Sequence, residues 1–306
     1  MAPTASLVAQ HILSRLATHA PRTKPLFAAV QGPQGSGKTH LTRSLVSILS
    51  SPPHSLQVAV LSIDDLYLTH DGLVELAAHN PNNKLWQGRG QPGTHDVKLG
   101  ADILAQLCDL NNTQSQVLLP SFDKSKFNGE GDRVAEAVPV DPPIDVVIFE
   151  GWCVGFYPLT EAELEAKWES ICMQVRSDPG SILARSMAPL CKEDIKAVND
   201  ALRGYVKAWY NFFDAFVQIC SPLDTGYEYI YLWRLQQEHN MKAKNGGIGM
   251  TDEQVTRFVD RYIPGYDFFG QGVITGGTAE GLPPWMGNGL RITIDKNRNV
   301  IDTSEF

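Results

Sequence analysis

The sequence predicts an α/β protein built on a parallel sheet flanked by helices, and three observations carry that reading. Short continuous apolar runs recur at residues 26–30, 58–61 and 146–149, the pattern of strands buried on both faces. Helical periodicity fills the spaces between them, as in Leu41, Leu45, Ile48 and Leu49. One stretch, about residues 66–142, is rich in Gly, Asn, Pro and Asp and too long to be an idle loop.

Taken in order, Val8, Ile12, Leu13 and Leu16 share a helical face that Pro21 ends just before the first strand. The first 63 residues lack Asp and Glu, and Arg15, Arg22 and Lys24 sit among Ser and Ala, which resembles a transit peptide. The helix is the preferred reading and the cytoplasm the expected compartment, with mitochondrial targeting left open. Residues 26–30 form the first strand, a glycine-rich turn and a helix follow, and 58–61 form the second strand. Within the insertion one helix is expected at about 97–110, through Ile103, Leu104 and Leu107, and little else regular. The third strand starts after Pro142-Pro143 and ends on Glu150-Gly151. Thr160-x-x-Glu163 and Thr251-x-x-Gln254 are capping boxes that open helices. Between them runs an apolar core stripe, Val198, Leu202, Tyr205, Val206, Trp209, Phe212, Phe213 and Phe216. Residues 227–233 alternate like a strand, and 290–294 read as the last strand.

Composition bounds the function. The 306 residues carry 26 Lys+Arg against 34 Asp+Glu, a net charge of −8, which argues against nucleic acid or an anionic membrane as partner. Hydrophobic content of 43% with 20% charged residues is that of a soluble globular chain, read here as a single domain over 1–306. No apolar run approaches the ~20 residues of a membrane helix. Cys108, Cys153, Cys172, Cys191 and Cys220 are scattered and odd in number, without the spacing of a disulfide framework or a zinc site. The pattern leaves the oligomeric state undetermined.

The chemistry concentrates at four places. Gly32, Pro33, Gln34, Gly35, Ser36, Gly37, Lys38 and Thr39 fit the P-loop pattern G-x-x-x-x-G-K-[ST] between a buried strand and an amphipathic helix. Such glycines let the backbone wrap an anion with its N–H groups inward, and the helix adds its positive end. Lys38 then reaches the β/γ phosphates, and the Thr39 hydroxyl ligates Mg²⁺. The second strand runs into Ser62-Ile63-Asp64-Asp65-Leu66-Tyr67, at the sheet edge where α/β proteins bind ligands. A carboxylate there can take a proton from an acceptor hydroxyl or bind magnesium through water, or be only a solvated turn. Glu150 closes the third strand at the same edge, as an acidic partner for magnesium. The insertion holds two mixed clusters, one around Arg89, Thr94, His95 and Asp96 and one around Asp123, Lys124, Lys126, Asp132 and Arg133. Backbone freedom beside fixed charges suits a small anionic substrate; hydrogen-bonded surface turns are the plain alternative.

Five ordered segments then carry a resemblance: Gly-Pro-Gln-Gly-Ser-Gly-Lys-Thr, Ile-Asp-Asp-x-Tyr-Leu-Thr, Gly-Arg-Gly-x-Pro-Gly-Thr-His-Asp, Phe-Asp-Lys-Ser-x-Phe-x-Gly-x-Gly-Asp-Arg and Phe-Glu-Gly-Trp. With Gly249-Met250-Thr251-Asp252 and Phe258-Val259-x-Arg261-Tyr262, the match spans about residues 26–295. The chain resembles the D-glycerate 3-kinase family and, more distantly, the uridine kinase, phosphoribulokinase and pantothenate kinase group. The resemblance implies a P-loop NTPase fold and transfer of the γ-phosphoryl of ATP, with Mg²⁺, to a hydroxyl of a small acceptor. It implies Asp64 as base beside Lys38, and Asp65, Tyr67, Arg89, His95, Asp96, Asp123, Lys124 and Arg133 around the substrate. Thr39, Asp64 and Glu150 would hold the metal. A basic segment at about 234–250 takes the position of the family's mobile lid, where Arg234, Lys242 and Lys244 would meet phosphates. Leu66 stands where relatives carry Phe, and Phe122 where they carry Tyr.

Three functions are carried forward: a D-glycerate kinase, a kinase of the same fold for a nucleoside, pantothenate or a sugar phosphate, and an ATP-binding regulatory protein with little transfer. Retention of Lys38, Thr39, Asp64 and Glu150 together disfavours the third. An insertion with Trp86 as its only large aromatic near Arg89 disfavours the nucleoside.

Overall fold

The computed structural model describes residues 2–21, 23–244 and 246–306, so Arg22 of the basic amino-terminal set lies outside the described residues. Helix α1 (Ala2–Thr18) leads to strand β1 (Leu26–Gln31), helix α2 (Lys38–Ser50) and strand β2 (Val58–Ser62). The insertion holds α3 (His70–His79), α4 (Val97–Thr113), β3 (Val117–Leu119), β4 (Phe122–Asp123), β5 (Asp132–Arg133) and β6 (Val138–Val140). After β7 (Val146–Gly151) come α5 (Glu161–Ser177), α6 (Ile182–Met187), α7 (Lys192–Trp209) and β8 (Ala215–Cys220). The chain then runs through α8 (Glu228–Lys244), α9 (Asp252–Asp260), α10 (Ile263–Phe269), α11 (Gly272–Thr275), β9 (Gly289–Ile294) and β10 (Val300–Glu305).

The main sheet has the order β10-β9-β8-β1-β7-β2, parallel throughout except for the β10–β9 pair at its edge. Every residue of β1 and of β7 is buried, which is why their sequences are unbroken apolar runs rather than alternating ones. Alternation still sorts their side chains between two cores. Leu26, Ala28 and Val30 pack with α1 and α2, whereas Phe27 and Ala29 face a larger layer containing α4, α5, α7 and α10. The amino-terminal stretch is therefore a core helix, with Ala5, Val8, Ala9, Ile12 and Leu16 buried. Because β1, β2 and β7 are parallel, the loop after β1, the acids after β2 and the acid ending β7 meet at one edge. Among the described residues no helix is long and apolar enough to cross a membrane.

Several segments depart from their sequence reading. The apolar stripe 198–216 is core as read, but it is divided between two elements: α7 ends at Trp209, and Ala215–Cys220 is a strand beside β1. The break is set by Asp214, which accepts the Phe27 N–H at 3.0 Å and the Lys24 ammonium at 2.8 Å and so fixes where β8 begins. A run buried on both sides cannot be told from a buried helix by periodicity alone. Residues 227–233 are not a strand but lie almost entirely in α8. Tyr227 and Tyr231, one helical turn apart, donate to Asp267 and Asp260, while Ile230 and Trp233 are buried. The insertion is more regular than its composition suggests. Thr69 caps α3 by accepting the Gly72 N–H at 3.2 Å, and β3–β6 and β4–β5 form two small antiparallel ladders. The capping boxes at Thr160 and Thr251 form as read.

Helix α4 is held to α7 through Gly100. A Cβ there would stand 2.7 Å from Trp209 Nε1, and the indole N–H donates to the Val97 carbonyl at 3.0 Å. Replacing a helix-interior glycine by alanine ordinarily stabilises by about 1 kcal/mol. Here the sign reverses: Gly100→Ala should lower the midpoint of thermal unfolding, and a raised midpoint would contradict this packing.

Candidate active site

The loop after β1 is shaped by contacts from three directions. Gly35 and Gly37 take positive φ of 73° and 96°, the left-handed region that glycine enters without strain. At Gly35 a Cβ would also lie 2.6 Å from the backbone carbon of Trp233, so α8 rests directly on the loop. The Gln34 N–H donates to Tyr266 Oη at 3.0 Å. Arg298 closes the third side, its Nε and Nη2 donating to the Gly35 carbonyl at 3.0 and 2.9 Å and Nη1 to Gln236 at 2.8 Å. Arg298 is itself held at φ 65° by a tight turn in which Asp295 accepts the N–H groups of Asn297 and Asn299. The run Asp295, Asn297, Asn299 marks a turn in the sequence. Nothing in the sequence marks its target, and Arg298 is the residue the sequence reading missed here.

Lys38 folds over the loop and donates to the carbonyls of Gly32 (2.7 Å) and Pro33 (3.1 Å). Burial pushes its ammonium below the usual lysine value, while Glu150 and then Asp64 pull it back up. Ser36 Oγ is buried without a partner. Lys38, Thr39, His40, Arg43, Lys124, Lys244 and Arg298 line one cleft of about 770 Å³ together with Asp64 and Glu150. A cationic cleft in an acidic chain, with inward-curved backbone and an unpaired hydroxyl, fits a polyphosphate.

The acids stand opposite. Glu150 pairs in register with Ser62 of β2 and accepts its hydroxyl at 2.9 Å; burial raises its carboxyl, with Lys38 opposing. Asp64 has both oxygens engaged, Oδ1 by the Tyr67 hydroxyl at 2.9 Å and Oδ2 by the Lys124 ammonium at 2.6 Å. Burial works against its charge, but Lys124, by charge and hydrogen bond, and the Tyr67 bond overcome it and hold the carboxyl at about 2. Asp65 turns away: its Oδ1 accepts the Phe122 N–H at 3.1 Å and anchors β4, and burial raises its carboxyl. Among the described residues no group of three or more His, Cys, Asp or Glu side chains could hold a metal ion. Of the residues expected to hold the metal, Asp64 has both oxygens engaged, so Thr39 and Glu150 are the available oxygens. A hard divalent cation would complete its shell with phosphate and water, as Mg²⁺ commonly does.

The structure divides the residues expected around the substrate. Lys124 enters the cleft. Arg89 donates through Nη1 to the carbonyls of Gly129 (2.6 Å) and Glu130, and Arg133 through Nη2 to Tyr67 O (2.8 Å) and Asp96 (3.2 Å), so both brace loops. Asp96 caps α4 by accepting the Leu99 N–H at 2.9 Å. Asp123 accepts from the N–H and hydroxyl of Ser125 and shapes the turn that presents Lys124. Arg234 departs from the lid expectation: it pairs with Glu238 at 2.8 Å and lies over Phe258 at 5.1 Å, outside the cleft, while Lys244 borders it and Lys242 does not. Tyr262, noted in sequence only as part of a motif, packs its hydroxyl against Gly90, where a Cβ would lie 2.6 Å away, and feels the charges of Asp64, Lys124 and Arg89.

His95 is buried, stacked on the Tyr67 ring at 4.5 Å. The Tyr205 oxygen accepts the Gly93 N–H at 3.0 Å and lies 2.6 Å from His95 Nδ1, while His95 Nε2 is buried without a partner. Burial, partly offset by Asp64, lowers this imidazole to about 3.

A phosphate-shaped loop, its lysine, and a carboxylate across the cleft from both define a P-loop phosphotransferase. No family model matches the chain. The solved structure of D-glycerate 3-kinase from Cryptococcus neoformans superposes with a TM-score of 0.89 and 41% identity over 99% of both chains. "Probable ATP-dependent kinase TDA10" of Saccharomyces cerevisiae is 35% identical over 283 residues, 91% of this chain and 88% of that protein. "D-glycerate 3-kinase, chloroplastic" of Arabidopsis thaliana is 34% identical over 281 residues, and the match spans 54% of that longer protein. The chain belongs to the D-glycerate 3-kinase family of P-loop kinases.

Two outcomes follow from the geometry. Arg298→Ala removes charged hydrogen bonds from the loop and should weaken ATP binding roughly tenfold or more, leaving acceptor affinity in place. Isothermal titration with ATP reads this, and unchanged affinity contradicts the role. Below about pH 6.5 the unfolded chain protonates His95 while the folded protein resists until about 3. Its contribution to stability is therefore full above pH 6.5 and is lost as the pH falls, by up to about 1.4 kcal/mol per unit. Urea unfolding of His95→Gln between pH 5 and 7.5 should show a shallower pH dependence than wild type; an equal slope would rule the imidazole out as the source.

Proposed function

We propose that the protein is an ATP-dependent kinase that phosphorylates a hydroxyl of D-glycerate, using Mg²⁺. The observation that carries this reading is that Lys38 of the phosphate loop and Asp64, just after β2, line one cleft. The loop Gly32–Gly37 binds the phosphates through its N–H groups, and Lys38 stabilises charge that develops on the transferred phosphoryl. Thr39 and Glu150 would hold Mg²⁺, which would supply neutralisation of the phosphate oxygens, while both oxygens of Asp64 are taken by Tyr67 and Lys124. Asp64 takes the proton of the attacking hydroxyl. Tyr67 orients the carboxylate that does so. The acceptor's carboxylate is met by Lys124, with the charge of Arg89 behind it and the Tyr262 hydroxyl nearby. An anionic acceptor suits this corner because local cations offset the field of an acidic chain. Its free, scattered cysteines suit a reducing compartment, which we take as the cytoplasm.

ADP release measured with D-glycerate, L-glycerate, pantothenate and uridine tests the acceptor. D-Glycerate should give the highest kcat/KM, and a better rate with uridine or pantothenate would make the glycerate reading wrong. In the same assay Asp64→Asn should lose ~10²–10⁴ in turnover with ATP affinity largely kept. Asp65→Asn should lose less, its effect arising through β4. A larger loss in Asp65→Asn would reverse the assignment of the base.

A further inference from the structure

We propose that Lys124 is a specificity gate: it caps the proton-accepting oxygen of Asp64 until the carboxylate of an acceptor draws the ammonium away. The inference rests on the kinase reading above and adds to it how an anionic acceptor is distinguished from water and neutral alcohols.

The geometry has three parts. Tyr67 donates to Asp64 Oδ1 and the Lys124 ammonium donates to Oδ2 at 2.6 Å, so the base carries a hydroxyl on one oxygen and a full positive charge on the other. Lys124 borders the phosphate cleft with its side chain 54% exposed, and Asp64 is its ion-pair partner among the described residues. The two arginines of the insertion are engaged elsewhere: Arg89 by the Gly129 and Glu130 carbonyls, Arg133 by Tyr67 O and Asp96. The backbone that carries Lys124 is fixed by the Asp123–Ser125 turn and by the β4–β5 ladder. A fixed stem under a flexible, single-point cation is the arrangement that lets a charge swing without moving the loop.

In the resting cleft the Lys124 charge on Oδ2 holds the base back from taking a proton. An incoming hydroxy acid offers Lys124 a second carboxylate, and in so short a molecule that carboxylate and the reacting hydroxyl reach Lys124 and Asp64 together. The ammonium turns to the acceptor and Oδ2 is freed. The hydroxyl proton then passes to Oδ2, the acceptor oxygen forms its bond to the γ-phosphorus, and the bond from that phosphorus to the β–γ bridging oxygen breaks, its electron pair leaving with ADP. Water or glycerol carries no anion to recruit Lys124, so Asp64 stays capped and ATP is not spent on them.

The test compares three rates in wild type and in Lys124→Met: D-glycerate phosphorylation, glycerol phosphorylation, and ATP hydrolysis without acceptor. Lys124→Met should lose ~10²-fold in kcat/KM for D-glycerate while glycerol phosphorylation and acceptor-free hydrolysis rise several-fold, so the preference for glycerate over glycerol collapses by ~10³. Lys124→Arg, which keeps a cation on Asp64 but grips it with a planar fork, should keep hydrolysis low and lower the glycerate kcat. Loss of glycerate activity with hydrolysis and glycerol rates unchanged makes Lys124 a substrate contact only and overturns the gate. A parallel fall in all three rates makes it structural and also overturns it. Lys124→Ala, read in the same way, serves if the methionine variant does not fold. Should wild type ignore D-glycerate, the acceptor assignment fails by itself, while the hydrolysis rates of the variants still decide the gate.

Discussion

The conformation of the Gly32–Gly37 backbone is the constraint on which the rest of the molecule depends. Its N–H groups must face an anion, so the chain has to hold them there against their tendency to bond elsewhere. The fold does this from outside. Helix α8 lies on Gly35 so closely that a methyl group would collide, and Arg298 takes the Gly35 carbonyl, while Tyr266 pins the loop by accepting the Gln34 N–H, which is thereby withdrawn from the anion. These supports come from residues separated from the loop by about two thirds of the chain or more. The carboxyl-terminal strands and the helices from α8 to α10 are thus part of the phosphate site, although none of them carries a phosphate-binding motif.

The same logic governs the acceptor side. Burying Glu150 and half-burying Lys38 and Asp64 near one another is costly for each charge alone and tolerable because cations and carboxylates share the cleft. Arginines and acids of the insertion, which look like ligands in a linear reading, are consumed in holding its loops: Asp65 anchors β4, Asp96 caps α4, and Arg133 joins the two. That bracing leaves one flexible cation, Lys124, against the base. Rigidity around the site and mobility at one side chain are therefore two consequences of the same hydrogen-bond network.

The phosphate loop, the acids closing β2 and β7, the three central strands and the capped helices were legible in the sequence. Each is a local pattern whose physics acts within a few residues: glycine freedom, an apolar run buried on both faces, a side chain capping its own helix. Two segments, 198–216, read as core and indeed core but divided between a helix and a strand, and 227–233, misread as a strand, are aromatic-rich runs in which helix and strand periodicities overlap. Their outcome was set by distant partners, Asp214 joining Phe27 and Lys24 in the first case, Asp260 and Asp267 receiving tyrosine hydroxyls in the second.

By itself the sequence determined that a nucleotide-type loop and two acidic strand ends share one edge of a parallel sheet, because parallel strands leave no other place for them. Which charged side chains reach the cleft was decided only in three dimensions. Arg89, Arg133 and Arg234 carry the same charge as Lys124 and Arg298, yet backbone carbonyls and carboxylates brought in by folding engage the first three elsewhere, set Lys124 on Asp64 and bring Arg298 to Gly35. Charge is a property of the residue, whereas a charge's partner is a property of the packing around it.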